Sequence, residues 1–286
     1  MDFRRQRVTL GVSHLDRLLG GLFIGDNVVW YDDAGSLASV FCLNLIQASE
    51  ASDKPIIYVT FDRSPKNLVE KLGALAHNAH LTILDCFTHG KGEASDVFLK
   101  FYEEEAKSLE GRVIQVEAPQ DRQKFTETFY ALFENLETDA RIVFESLTGM
   151  QALWGGEATV VDFYSHSCPR LYELETIAYW VMEKEAHSGR LRARINQITQ
   201  VAIELSVKRG TTSLMIIKAE KRRTEDLNRP CPYWAKDLGV HFETDKGTTG
   251  QLDLGGRLKT LRKRRGLSQT ELAKLVKHNR TDPRIN

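Results

Sequence analysis

Asn27-Val28-Val29-Trp30-Tyr31-Asp32-Asp33-Ala34-Gly35-Ser36-Leu37-Ala38-Ser39 opens as a short apolar run and closes as the start of a helix, and that change of period decides the fold class. Residues 27–31 are β-branched and aromatic, the pattern of a strand with little contact with water. A turn of small and acidic residues follows. From Leu37 to Ser49 the apolar positions Val40, Phe41, Leu43, Leu45 and Ile46 suit a mostly buried helix. Strand, turn and helix together open a βαβ unit.

The same alternation continues outward. Pro55 to Phe61 reads as a second strand, and Ser64-Pro65 supplies an N-cap with proline at the first helical position for a helix ending near Ala76. Leu81 to Cys86 and Val113 to Val116 are further strands, with helices over 95–109 and about 120–136, and Arg141 to Glu145 is a strand that ends in a carboxylate. Leu171, Leu174, Ile177, Ala178, Val181 and Met182 give 170–185 a helical spacing. Val201 to Val207 and Ser213 to Lys218 flank Lys208-Arg209-Gly210-Thr211 as a hairpin that ends the sheet. The expected architecture is α/β, a mostly parallel sheet with helices on both faces, over residues 1–253. A small α-helical element is expected over 254–286, beyond a glycine linker at 255 and 256.

Composition agrees with one substantial core: 286 residues, 42% hydrophobic and 27% charged. No run of about 18 apolar residues appears and Met1-Asp2-Phe3-Arg4-Arg5 leads into polar sequence, so a cytoplasmic protein with no membrane partner is expected. The four cysteines, Cys42, Cys86, Cys168 and Cys231, are scattered and read as reduced thiols. Net charge is zero, yet residues 256–286 hold ten Lys/Arg against two Asp/Glu, leaving 29 basic and 37 acidic residues before them. A basic tail on an acidic body points to an appended anion-binding element.

Gly11-Val12-Ser13-His14-Leu15-Asp16-Arg17-Leu18-Leu19-Gly20-Gly21-Leu22, Tyr58 to Pro65 and Pro232 to Val240 resemble, in order, three segments of the KaiC and archaeal RadA-like branch of the RecA superfamily. The resemblance implies a phosphate loop after the first core strand. There glycine amides and a lysine neutralise phosphates and a Ser/Thr hydroxyl holds magnesium. The corresponding residues here are Asp32, Asp33, Gly35, Ser36, Ala38 and Ser39, with Ala38 in place of the lysine and Leu37 in place of the last glycine. Asp32 and Asp33 add negative charge. At about 5 Å and an effective dielectric near 20, each carboxylate–phosphate pair repels by about 3 kcal/mol.

The other positions implied by the resemblance depart together. The family's paired glutamates fall on Asp62 and Arg63, its Walker B aspartate on Glu145, and its trans-acting Lys-x-Arg on Lys218-Ala219-Glu220. A pseudo-ATPase is therefore expected, with Asp62, Glu145 and Lys218 as remnants of a catalytic set, and ATP with magnesium is disfavoured as a ligand. No metal site is expected, since His77, His80 and His187 have no third ligand placed by sequence and read as surface or capping groups. Phe125, Phe129, Tyr130 and Phe133 read as core, and Lys218, Lys221, Arg222 and Arg223 as a solvated strand end.

The stretch Arg257 to Ala273 resembles the first two helices of a Cro/Xre-type helix-turn-helix, with Ser268 and Glu271 as a capping box and Gly266 in the turn. The recognition helix that follows in that family is missing from 277–286, so a partial module is expected. Arg264, Arg265, Ser268, Gln269 and Lys274 are the DNA-contacting candidates, for weak and nonspecific binding through phosphates. The function expected is a transcriptional regulator whose KaiC-like domain serves as a homo-oligomeric or signal-sensing platform. The alternatives are a divergent active ATPase and a protein-binding scaffold without DNA.

Overall fold

Strand and helix alternate from residue 27 onward in the computed structural model, which describes residues 6–243 apart from 110, 137, 138, 223 and 225. Strand β1 (Arg7–Val8), helix α1 (Ser13–Leu19) and strand β2 (Leu22–Phe23) form an entry ribbon in which β1 and β2 pair antiparallel. The main sheet begins with β3 (Asn27–Asp32). The chain then runs through α2 (Ala38–Ala51), β4 (Ile56–Thr60), α3 (Pro65–Leu72), β5 (Leu81–Asp85), α4 (Asp96–Glu104), β6 (Val113–Gln115) and α5 (Arg122–Ala131). Next come β7 (Arg141–Phe144), α6 (Leu147–Trp154), α7 (Glu157–Glu173), β8 (Ile177–Glu183) and α8 (Gly189–Ile198). Four strands follow: β9 (Val201–Lys208), β10 (Thr211–Ala219), β11 (Cys231–Lys236) and β12 (Gly239–Phe242).

Among the described residues these strands make a ten-stranded sheet in the order β12-β11-β10-β9-β3-β8-β7-β4-β5-β6. From β9 to β6 every pairing is parallel, and β9 to β12 pair antiparallel. Alternate side chains of each central strand enter separate cores. Val28, Trp30, Tyr58, Ile177 and Tyr179 pack with α2 and α3 through Phe41, Leu45 and Leu68. Val29, Tyr31, Ile57, Ala178 and Trp180 pack with α5 to α8 through Phe125, Met150, Tyr164 and Ile195. The α/β expectation holds, with helices on both faces, and Phe125 and Phe129 are core residues.

The structure corrects three sequence expectations. The stretch 170–185 is not one helix: α7 ends at Glu173, Glu175 turns the chain with φ 54°, and β8 takes the position beside β3. A strand covered on both faces carries apolar residues at every position, so a helical spacing is satisfied within it by default. Trp180 shows what the strand provides, stacked on Phe144 at 3.9 Å with its indole N–H donated to Asn27 Oδ1 at 2.9 Å. The β9–β10 hairpin forms as expected, yet it does not end the sheet, because β11 and β12 add two further strands.

Arg222 is not part of a solvated strand end. Its side chain is 3% exposed, forms an ion pair with Asp26 and lies over the Phe23 ring at 4.5 Å.

The compact unit built on the sheet ends at Glu243. The expected boundary near 253 and the helix-turn-helix resemblance, with Arg264, Arg265, Ser268, Gln269 and Lys274, lie outside the described residues. No helix among the described residues is long and apolar enough to cross a membrane.

Candidate functional site

Strands β3 and β4 are consecutive in the chain but separated in the sheet by β8 and β7, and a cleft of about 580 Å³ opens at their carboxyl ends. Open α/β sheets place ligand crevices at such ends. The floor is the loop from β3 to α2. Asp32 turns its carboxylate back into this loop, where it accepts hydrogen bonds from the Ser36 hydroxyl and the Ala38 backbone N–H. Burial pushes the Asp32 carboxyl above its usual range, opposed by those two bonds. The start of α2 has no cap from its own N-cap residue, Leu37, so the Asp32 carboxylate meets one of the helix's free amides.

Leu37 sits at φ 65° and ψ 40°, a left-handed conformation that costs an L-residue about 1–2 kcal/mol, and its side chain is 47% exposed. Leu37→Gly removes that strain and exposes little new apolar surface. Allowing for glycine's greater unfolded-state freedom, it is expected to raise stability by about 0.5–1 kcal/mol, read as a higher denaturant midpoint at unchanged slope.

Asp33 departs from its expected role, because it does not face the cleft. Its carboxylate pairs with Lys184 Nζ at 2.8 Å and accepts the Val207 N–H at 3.3 Å, and Lys184 also reaches Glu204 at 3.2 Å. The electrostatic burden on the loop therefore falls on Asp32.

Glu145 follows β7 and is 6% exposed. Its two oxygens accept from Tyr58 Oη at 2.9 Å and Thr60 Oγ1 at 3.0 Å, with Arg63 Nε at 3.6 Å. Burial raises its carboxyl, against the Arg63 charge and the two hydroxyl bonds. Asp62 is held in an ion pair with Lys91. Gly149 of α6 lies against it, since a Cβ there would stand 2.4 Å from Asp62 Oδ2.

Of the residues singled out in the sequence, Asp32, Gly35, Ala38, Ser39, Asp62 and Glu145 line the cleft. Ser36 lies beneath it, fully buried, with its carbonyl accepting from Tyr233 Oη. Lys218 is not among the lining residues: it donates to Asn196 O at 2.7 Å and Thr199 O at 2.5 Å and pairs with Glu220 at 2.9 Å. A cation on free carbonyls at a helix C-terminus is a structural role. His187 also departs from expectation, being 5% exposed with Nε2 2.9 Å from Thr148 Oγ1.

Lys71, Lys91 and Thr148 line the cleft without having been singled out in the sequence, and Cys42, read there only as a reduced thiol, lines it too. Lys91 did carry a signal, as it stands between Gly90 and Gly92, and a Cβ on either would meet a backbone oxygen at 2.4 or 2.8 Å. Among the described residues no cluster of three or more His, Cys, Asp or Glu is arranged to hold a metal.

No family model matches this sequence, and no curated protein matches it. Among solved structures, the chain is similar to a KaiC-like protein from the hyperthermophilic archaeon Pyrococcus horikoshii OT3. The TM-score is 0.60 at 17% identity, covering 84% of this chain and all of that one. The likeness shows the fold, which is α/β and RecA-like.

Proposed function

We propose that this chain is a regulatory protein in which a KaiC-like domain that does not turn over ATP serves as an oligomerising or signal-receiving platform for a DNA-binding tail. The observation that carries the first half is the Asp32 carboxylate seated at the start of α2, bonded to Ser36 and to the Ala38 amide. A helix N-terminus after a strand is where a phosphate would be received, and here a side-chain anion stands in its place. With alanine at 38, no lysine on the loop offsets that charge. Asp62 and Glu145 are each engaged by a cation, so neither is a free base. The DNA half rests on the basic tail and its resemblance to helix-turn-helix sequences.

Titration of the full chain with magnesium and ATP in a calorimeter is expected to give no binding heat, and low-micromolar affinity would overturn the reading. In the second arm, a random duplex is expected to be retarded at low salt and released as salt rises, with Arg264→Gln and Arg265→Gln together weakening it. Absence of any shift at low salt would remove DNA from the function and leave a protein scaffold.

A further inference from the structure

The cleft is lined by the carboxylates of Asp32, Asp62, Glu145 and Glu183 and by three cations, two of which, Arg63 and Lys71, make no close ion pair. Lys71, on the last turn of α3, lines the cleft and has no hydrogen bond or ion pair among the described residues. Arg63 lines the same wall, and its contact with a carboxylate is the 3.6 Å approach of Nε to Glu145, whose oxygens already accept from Tyr58 and Thr60. Two cations thus share one carboxylate.

Lys91 and Asp62 neutralise each other nearby. Asp33 faces away to Lys184, and Asp32 is satisfied inside the loop. Ser39, Ser146 and Thr148 line the same cleft, with Val181 and Ala152 as apolar lining.

We propose that Arg63 and Lys71 form the receiving wall for a phosphoryl dianion, held on the β4–α3 side of the cleft rather than on the β3–α2 loop. Charge-assisted hydrogen bonds from a guanidinium fork and an ammonium suit a tetrahedral dianion, and such a group relieves the repulsion between the two cations. Burial holds the Lys71 amine below its ordinary range, and the Arg63 charge pushes the same way. The volume of about 580 Å³ exceeds what a free phosphate fills and falls in the range of small-molecule sites, which favours a phosphate monoester of a small organic molecule.

The inference rests on the reading that the loop does not take a triphosphate, and the test separates the two. The full chain is titrated, without magnesium, with inorganic phosphate and with glycerol phosphate, and separately with magnesium and ATP. Both phosphates are expected to bind, the ester more tightly. Lys71→Met and Arg63→Gln are each expected to weaken binding about tenfold or more. Lys66→Met, which removes the same charge from the exposed face of α3, is expected to leave it unchanged. Phosphate binding that survives both Lys71→Met and Arg63→Gln, or no phosphate binding at all, overturns the inference. ATP binding that survives both substitutions overturns the inference and the proposed function together, because the ligand then sits on the loop.

Discussion

Arg222→Ala is expected to destabilise the folded domain by about 3–5 kcal/mol, read as a large drop in denaturant midpoint. Asp26 is 3% exposed and its Oδ2 accepts both the Arg222 guanidinium and the Phe23 N–H, the latter at 2.6 Å. Arg222 adds bonds to Gly21 O at 3.3 Å and Glu220 O at 3.2 Å, so one side chain ties the chain after β10 to the entry ribbon. Removing it takes the Arg222 charge and its hydrogen bond from a buried carboxylate. The double replacement Asp26→Asn with Arg222→Met is expected to recover part of the loss, because the Asp26 side chain then no longer carries the charge that Arg222 offset. A loss below about 1 kcal/mol for Arg222→Ala is the magnitude of a solvated pair and would contradict the burial described here.

Gly11→Ala is expected to cost about 2–4 kcal/mol, combining a left-handed backbone with overpacking. Gly11 has φ +80°, and a Cβ placed there would stand 2.3 Å from the backbone oxygen of Asn44 in α2. Helix α2 has little freedom to retreat: Asn44 donates to Val40 O and to Leu238 O, each at 2.8 Å. Gly35→Ala supplies the contrast, since Gly35 has φ +86° with nothing within 4 Å of its added Cβ. It is expected to lose only the conformational part, about 1–2 kcal/mol. Equal losses at the two sites would show that the close approach of Gly11 to α2 contributes nothing.

These two cases mark what the residues disclose before folding is considered. Gly11 could be singled out because it belongs to a long motif, and the geometry supplies its reason, together with that of Asp16, which accepts from Thr9 Oγ1 at 2.5 Å and Leu10 N at 2.7 Å. The β3–α2 unit was legible because the apolar period changes sharply at a turn. Strand β8 was not, because a strand covered on both faces loses the alternation that distinguishes it from a helix.

Arg222 shows the complementary blindness, since a basic residue in a basic run looks solvated until a partner distant in sequence is brought against it. Lys71 is invisible for the same reason. On α3 it is one charged residue among several, and only the approach of Glu145 and Arg63 from β7 and the β4–α3 turn gives it a neighbourhood. Among the loop candidates, Asp32 is a lining residue of the cleft and Asp33 is not, a distinction that two adjacent identical residues do not announce.

The Asp32 carboxylate has a thermodynamic consequence of its own. A domain ordered by a bound nucleotide gains stability as the logarithm of ligand concentration, so its folded population follows the metabolic state of the cell. An anion supplied by the chain itself is present at fixed effective concentration and dissociates from nothing. On the proposed reading, the order it gives to the start of α2 would be the same in starvation and in plenty, and independent of the ratio of triphosphate to diphosphate.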